Sequence, residues 1–154
     1  MTPDDLTTLL ARYRAGYAAV ADAVAAAGPD RLDLAPAGGW TAREVVHHLA
    51  DSEMTSAVRL RRLLAEDAPV VAAYDEEAFA RLLHYRDRPV DAALRAIEAS
   101  RATSAELLDR LVADDWRRAG THTNTGPYGV TDWLRTYADH PHDHAAQLRA
   151  AAGI

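Results

Sequence analysis

Four long stretches of helical-period hydrophobicity, cut apart by proline and glycine, leave this chain little choice of fold. The first runs from about Pro3 to Ala27 and places Leu6, Leu9, Leu10, Tyr13, Tyr17, Val20 and Val24 on one side before Gly28-Pro29 stops it. A linker with two prolines and Gly38-Gly39 leads to Trp40. Thr41 followed by Glu44 then reads as a capping box, opening a second helix that reaches about Glu66. Tyr74 to Tyr85, opened by Asp75-Glu76-Glu77, reads as a short helix within a long connection. The third long helix begins at Pro89, tolerated in a first turn, and runs to about Val112 with Leu94, Ile97, Ser104, Leu108 and Leu111 inward. Ala113 to Gly129 is expected to be loop, and the fourth helix runs from Val130 or Thr131 almost to Ile154. No strand, internal repeat or low-complexity segment is expected. The pattern predicts one all-α domain over residues 1–154, a four-helix bundle with a short extra helix between the second and third long helices.

Composition narrows the function. The net charge of −6 comes with arginines scattered along the helices, so no basic surface for nucleic acid is expected. No apolar run approaches the ~20 residues of a membrane span, and Met1–Leu10 lacks the basic start of a secretion signal, so a soluble cytoplasmic protein is expected. The chain has no cysteine, which excludes disulfides, thiolate ligands and a nucleophilic thiol of its own.

His140 and His144 carry the strongest chemical signal. Four residues apart on a helix, they share one face, and that face continues through Trp133, Tyr137 and Leu148. Two imidazoles on an apolar stripe need partners, either a divalent metal or nearby carboxylates and carbonyls. A metal in a bundle needs a further ligand from a facing helix, and the second helix offers His47 and His48. Periodicity leaves both open: His47 groups with Ala50, Met54 and Val58, and His48 with Glu44, Ser52, Thr55 and Arg59. His142 points away from the pair.

GGWTAREVVHHLADSEM followed by YADHPHDHAAQL resembles the DinB/YfiT-like superfamily of metal-binding four-helix bundles. PVVAAYDEEAFARLLHYRDRPV and THTNTGPYGVTDWL are similar to its middle connection and to its entry into the last helix, so the resemblance covers the whole chain. It implies His48, the histidine before Leu-Ala, as the ligand that joins His140 and His144, with zinc or nickel as the metal. Three protein ligands leave an open position, the mark of a reactive site. The sequence departs from the family in two places. Pro141 falls between two of the ligands, where a kink or bulge is expected, and Glu53 stands where relatives often carry a histidine.

The resemblance implies a metal-dependent enzyme that transfers a low-molecular-weight thiol, of the bacillithiol or mycothiol type, onto an electrophilic small molecule. The alternatives are a hydrolase using metal-activated water and a non-catalytic stress-response or binding bundle. Ser52, Thr55 and Arg59 on the second helix and Tyr137 on the fourth are the candidate cleft residues, with Arg59 set to meet either a substrate carboxylate or a surface acid. His122 is a candidate acid–base group or an exposed loop histidine. Asp51 or Asp139 is placed to orient a ligand imidazole. Trp40 is expected to plug the bundle end, and the family implies a homodimer.

Overall fold

A computed structural model describes residues 2–36 and 38–154. Helix α1 spans Pro3–Ala27, with Thr2 and Asp5 capping each other's backbone at its start. Helix α2 spans Ala42–Ala65 and opens on the reciprocal Thr41–Glu44 cap. The short α3, Glu76–Leu82, starts where the Asp75 side chain accepts from the Ala78 N–H. Helix α4 covers Asp91–Leu108 and α5 covers Val130–Ala152. Helix α1 packs chiefly on α5, while α2 packs on both α4 and α5, closing a four-helix bundle. No helix of the described residues is long and apolar enough to cross a membrane.

The segment expected to be loop carries a small sheet. Strands β1 (Val70–Val71), β2 (Ala119–His122) and β3 (Gly126–Gly129) pair in that order, β1 parallel and β2 antiparallel to their successors. Such strands are too short to display an alternating pattern, and β3 reads as turn residues because it holds two glycines and a proline. The sheet still has a role in the site. It ties the α2–α3 connection to the loop before α5, with Val71 opposite His122. Gly120 is needed there, since a β-carbon would sit 2.1 Å from the Pro69 carbonyl oxygen.

The core divides into two apolar clusters. One holds Val20, Ala23, Val45, Leu49, Ile97, Ala145 and Leu148, and the other Tyr13, Leu60, Leu63, Leu108, Trp133, Leu134 and Tyr137. Along every long helix the residues between these clusters are polar or small: Gly16 on α1, Ser52, Glu53 and Ser56 on α2, Arg101 and Ser104 on α4, His140 and Pro141 on α5. A polar layer therefore crosses the bundle at mid-height, and the helix periods hide it because the layer is only one to three residues deep on each helix.

Arg101 organises that layer. Its guanidinium donates to Glu53 Oε1 at 2.5 Å, twice to the Tyr137 carbonyl at 3.2 Å, and to the Tyr13 carbonyl, and it lies 4.0 Å from the Tyr13 ring centre. Both Arg101 and Glu53 are almost fully buried, at 4% and 1% exposure. Glu53 is thus a core ion-pair partner and not a solvated side chain.

The Tyr137 carbonyl explains how α5 tolerates its proline. Pro141 has no N–H to offer the carbonyl four residues back, and its ring crowds it. Arg101 supplies the missing donors from a neighbouring helix. Gly16 makes room for the ring, since a β-carbon there would lie 2.5 Å from Pro141 Cγ and 2.6 Å from Arg101 Nη2. Helix α5 accordingly continues as one helix through Pro141, from His140 to His144.

Candidate metal centre

The bundle brings His48, His140 and His144 together. One nitrogen from each ring lies within 4.8 Å of the others. Ring centres are 4.4 Å apart for His140 and His144, 4.7 Å for His48 and His144, and 5.5 Å for His48 and His140. His48 is buried and the other two are half-buried, so the cluster opens to one side. His144 Nδ1 donates to Gln147 Oε1 at 2.6 Å, which fixes its tautomer and leaves Nε2 with a lone pair.

Burial above all, then the neighbouring His144, holds the His48 pKa down at about 4. The same causes, with His48 and Arg101 adding to them, hold His140 at about 3. Both rings are therefore neutral at pH 7, as metal ligands must be. His48 and His140 also each bury an Nδ1 that has no hydrogen-bond partner. Three imidazole nitrogens at this spacing, with an unsatisfied nitrogen on both His48 and His140, fit a divalent metal.

These shifts fix the sign of the pH dependence. An unfolded histidine titrates near 6.5, so below that pH the unfolded chain binds protons that folded His48 and His140 refuse. Stability of the metal-free protein is expected to be full above pH 6.5 and to fall through the window from about 6.5 to about 3, by a few kcal/mol in order of magnitude. Urea denaturation across that range measures it, and replacing His140 by Gln should flatten the slope.

The surrounding residues divide clearly. Ser52, Arg59, Tyr137 and His122 join His140, Tyr74, Glu76, Asn124 and Thr136 around a recess of about 250 Å³ beside the histidines. Tyr137 is buried, its ring centre 5.8 Å from that of His140, and its hydroxyl accepts from Arg59 Nη1 at 3.0 Å. Burial foremost raises the Tyr137 pKa, so the phenol keeps its proton. His122 on β2 accepts from the Asn124 N–H at 3.3 Å, and burial followed by Arg59 lowers its pKa.

Thr55 is elsewhere. Its hydroxyl donates to the Asp51 carbonyl at 2.8 Å, and it lines a separate depression with Val58 and Arg62. Neither candidate orienting acid bonds an imidazole: Asp51 accepts from the Tyr85 hydroxyl and Asp139 pairs with Arg12. His47 is buried but apart from the cluster, stacked on Tyr85 and donating to the Arg88 carbonyl at 3.1 Å. His142 donates to the Arg12 carbonyl. Trp40 is more than an end plug, since its ring centre lies 5.0 Å from that of His48 and walls that imidazole. A larger depression of about 680 Å³, lined by Trp40, Glu44 and Arg86, contains none of the three histidines.

The metal-binding geometry agrees with what the chain resembles. Residues 12–148 match the sequence model of the DinB superfamily. A protein of Oceanobacillus iheyensis named "putative metal-dependent hydrolase" is 37% identical over 111 residues, which are 72% of this chain and 64% of that protein. A Bacillus cereus protein of the same description is 35% identical over equal shares. The chain thus matches somewhat under two thirds of the length of these relatives. Among solved structures, one described as "YfiT from Bacillus subtilis is a probable metal-dependent hydrolase with an unusual four-helix bundle topology" superposes with a TM-score of 0.91. That match has 27% identity and covers 99% of this chain and 89% of the other. The fold, the three-histidine cluster and the sequence match together make this chain a member of the DinB superfamily.

Proposed function

We propose that the protein is a metal-dependent transferase that joins a low-molecular-weight thiol to an electrophilic small molecule at His48, His140 and His144. The observation that carries this reading is an open three-imidazole cluster beside a recess with only one lining carboxylate, the exposed Glu76. Zinc and nickel both suit three imidazoles. A divalent ion held there would keep its positive charge and lower the pKa of a thiol or water molecule that met it, which supplies a nucleophile at neutral pH.

The chain's own residues have separable tasks. His48, His140 and His144 hold the ion, and burial keeps the lone pairs of His48 and His140 unprotonated. The neutral His122 can take the proton that an entering thiol gives up. The Tyr137 hydroxyl accepts from Arg59 and keeps its own proton free to donate to charge developing on an electrophile. With no cysteine in the chain, the sulfur comes from a second substrate. The two substrates, and a homodimeric assembly, belong to the same proposal.

The names of the relatives favour a second reading, hydrolysis by activated water at the same centre. Thiol dependence separates the two. Zinc- or nickel-loaded protein is expected to consume 1-chloro-2,4-dinitrobenzene only when a thiol such as cysteine is present, and to stop in chelator. Turnover of p-nitrophenyl acetate at the same rate with and without thiol, and no thiol-dependent reaction, would replace transfer by hydrolysis.

A further inference from the structure

Arg59 is an unusual side chain for the wall of a metal site. It is half-buried, lines the recess beside His140, and forms no ion pair with any carboxylate among the described residues. Its Nη1 donates to the Tyr137 hydroxyl and its Nη2 to the Ala72 carbonyl, so the guanidinium is held in place by neutral groups alone. Its Nε is buried without a partner. The Tyr74 hydroxyl, on the same recess, is likewise buried and unpartnered.

Buried donors are nearly always satisfied, and an uncompensated cation in a partly dry recess is costly. A guanidinium is the side chain best matched to a carboxylate, which it can meet with two parallel N–H groups. Arg59 is also the only Arg or Lys among the lining residues, and the other polar groups there are hydroxyls, an amide and neutral rings beside the exposed Glu76. That inventory suits a single negative charge.

We infer that Arg59, aided by Tyr74, receives the carboxylate of the small molecule whose other end meets the three-histidine centre. The inference rests on the metal-site reading above and holds whether the molecule is a thiol or the substrate of a hydrolase. Arg59 then selects monoanionic ligands and sets their orientation, with Tyr137 between its guanidinium and His140 as a fixed spacer.

The test uses two thiols of nearly equal size, 3-mercaptopropionate and 3-mercaptopropan-1-ol, titrated calorimetrically into zinc-loaded protein whose zinc content is measured first. The carboxylate is expected to bind at least about tenfold more tightly than the alcohol, the factor that ~1.4 kcal/mol confers. In Arg59→Met that margin should vanish while the affinity for the alcohol stays as in wild type. Arg59→Lys, which keeps the charge and loses the fork, should retain part of the margin, and it serves also if the Met variant unfolds. Zinc-loaded wild type that binds both thiols equally, or a margin that survives in both variants, overturns the carboxylate assignment and leaves the metal site standing. Protein that takes up no zinc overturns the metal reading and this inference with it.

Discussion

Arg101→Met is expected to cost the fold about 3–5 kcal/mol, the range for removing one partner of a buried ion pair. Three losses combine. Glu53, at 1% exposure, is left as a buried carboxylate whose pKa burial already pushes up despite Arg101. The Tyr137 carbonyl loses both donors and cannot regain its helical one, because the residue four positions on is Pro141. The cation over the Tyr13 ring also goes. Urea denaturation at pH 7 measures the total. Because the dominant cost is an unpaired negative charge, Glu53→Gln added to Arg101→Met should recover part of it. A single Arg101→Met variant within about 1 kcal/mol of wild type would mean that the polar layer is not held by this pair.

Metal is expected to stabilise the protein through the three histidines. An ion that binds only the folded state adds about 2.7 kcal/mol at a free concentration one hundred times its Kd. Zinc or nickel should therefore raise the thermal midpoint of wild type by several degrees and leave His140→Ala unmoved. The comparison is informative because His140→Ala removes a half-buried ring from a site edge and keeps the helix α5 backbone intact. Equal shifts in both proteins would place the bound metal somewhere other than this cluster.

How far the sequence reaches is clearest on α2. The capping box at Thr41 and Glu44 is local chemistry, and it forms as the sequence predicts. The face of the helix is a tertiary matter. The apolar set that groups with His47 includes Met54 and Val58, and these are exposed at 44% and 58%. The polar set that groups with His48 includes Glu44 and Ser52, and these are buried. The bundle turns a polar stripe inward because the partner helices offer it Arg101, His140 and Tyr137, which no single-helix pattern can reveal. Spacing alone therefore left His47 and His48 equal, and only the resemblance favoured His48.

Pro141 is a similar case. A proline in mid-helix predicts a kink or bulge, and the helix is carried across it by a donor from α4 and a glycine on α1. The sequence did hold a clue, an arginine at the inward position between Ile97 and Ser104 on α4, where a long cation has no apolar reason to be. The sheet was less legible. Its strands have two to four residues each, and the β1–β2 pairing joins segments some fifty residues apart. Thr55 shows the opposite error, since it shares a helical face with Ser52 and Arg59 by spacing but gives its hydroxyl to the Asp51 carbonyl.

The central claim is that His48, His140 and His144 hold one divalent ion. The most direct measurement is metal content by mass spectrometry on protein purified without a metal-affinity column and then dialysed against zinc or nickel, wild type beside His48→Ala. About one ion per chain is expected in wild type and none in the variant. Wild type that retains neither ion, or a His48→Ala protein that retains as much as wild type, would contradict it.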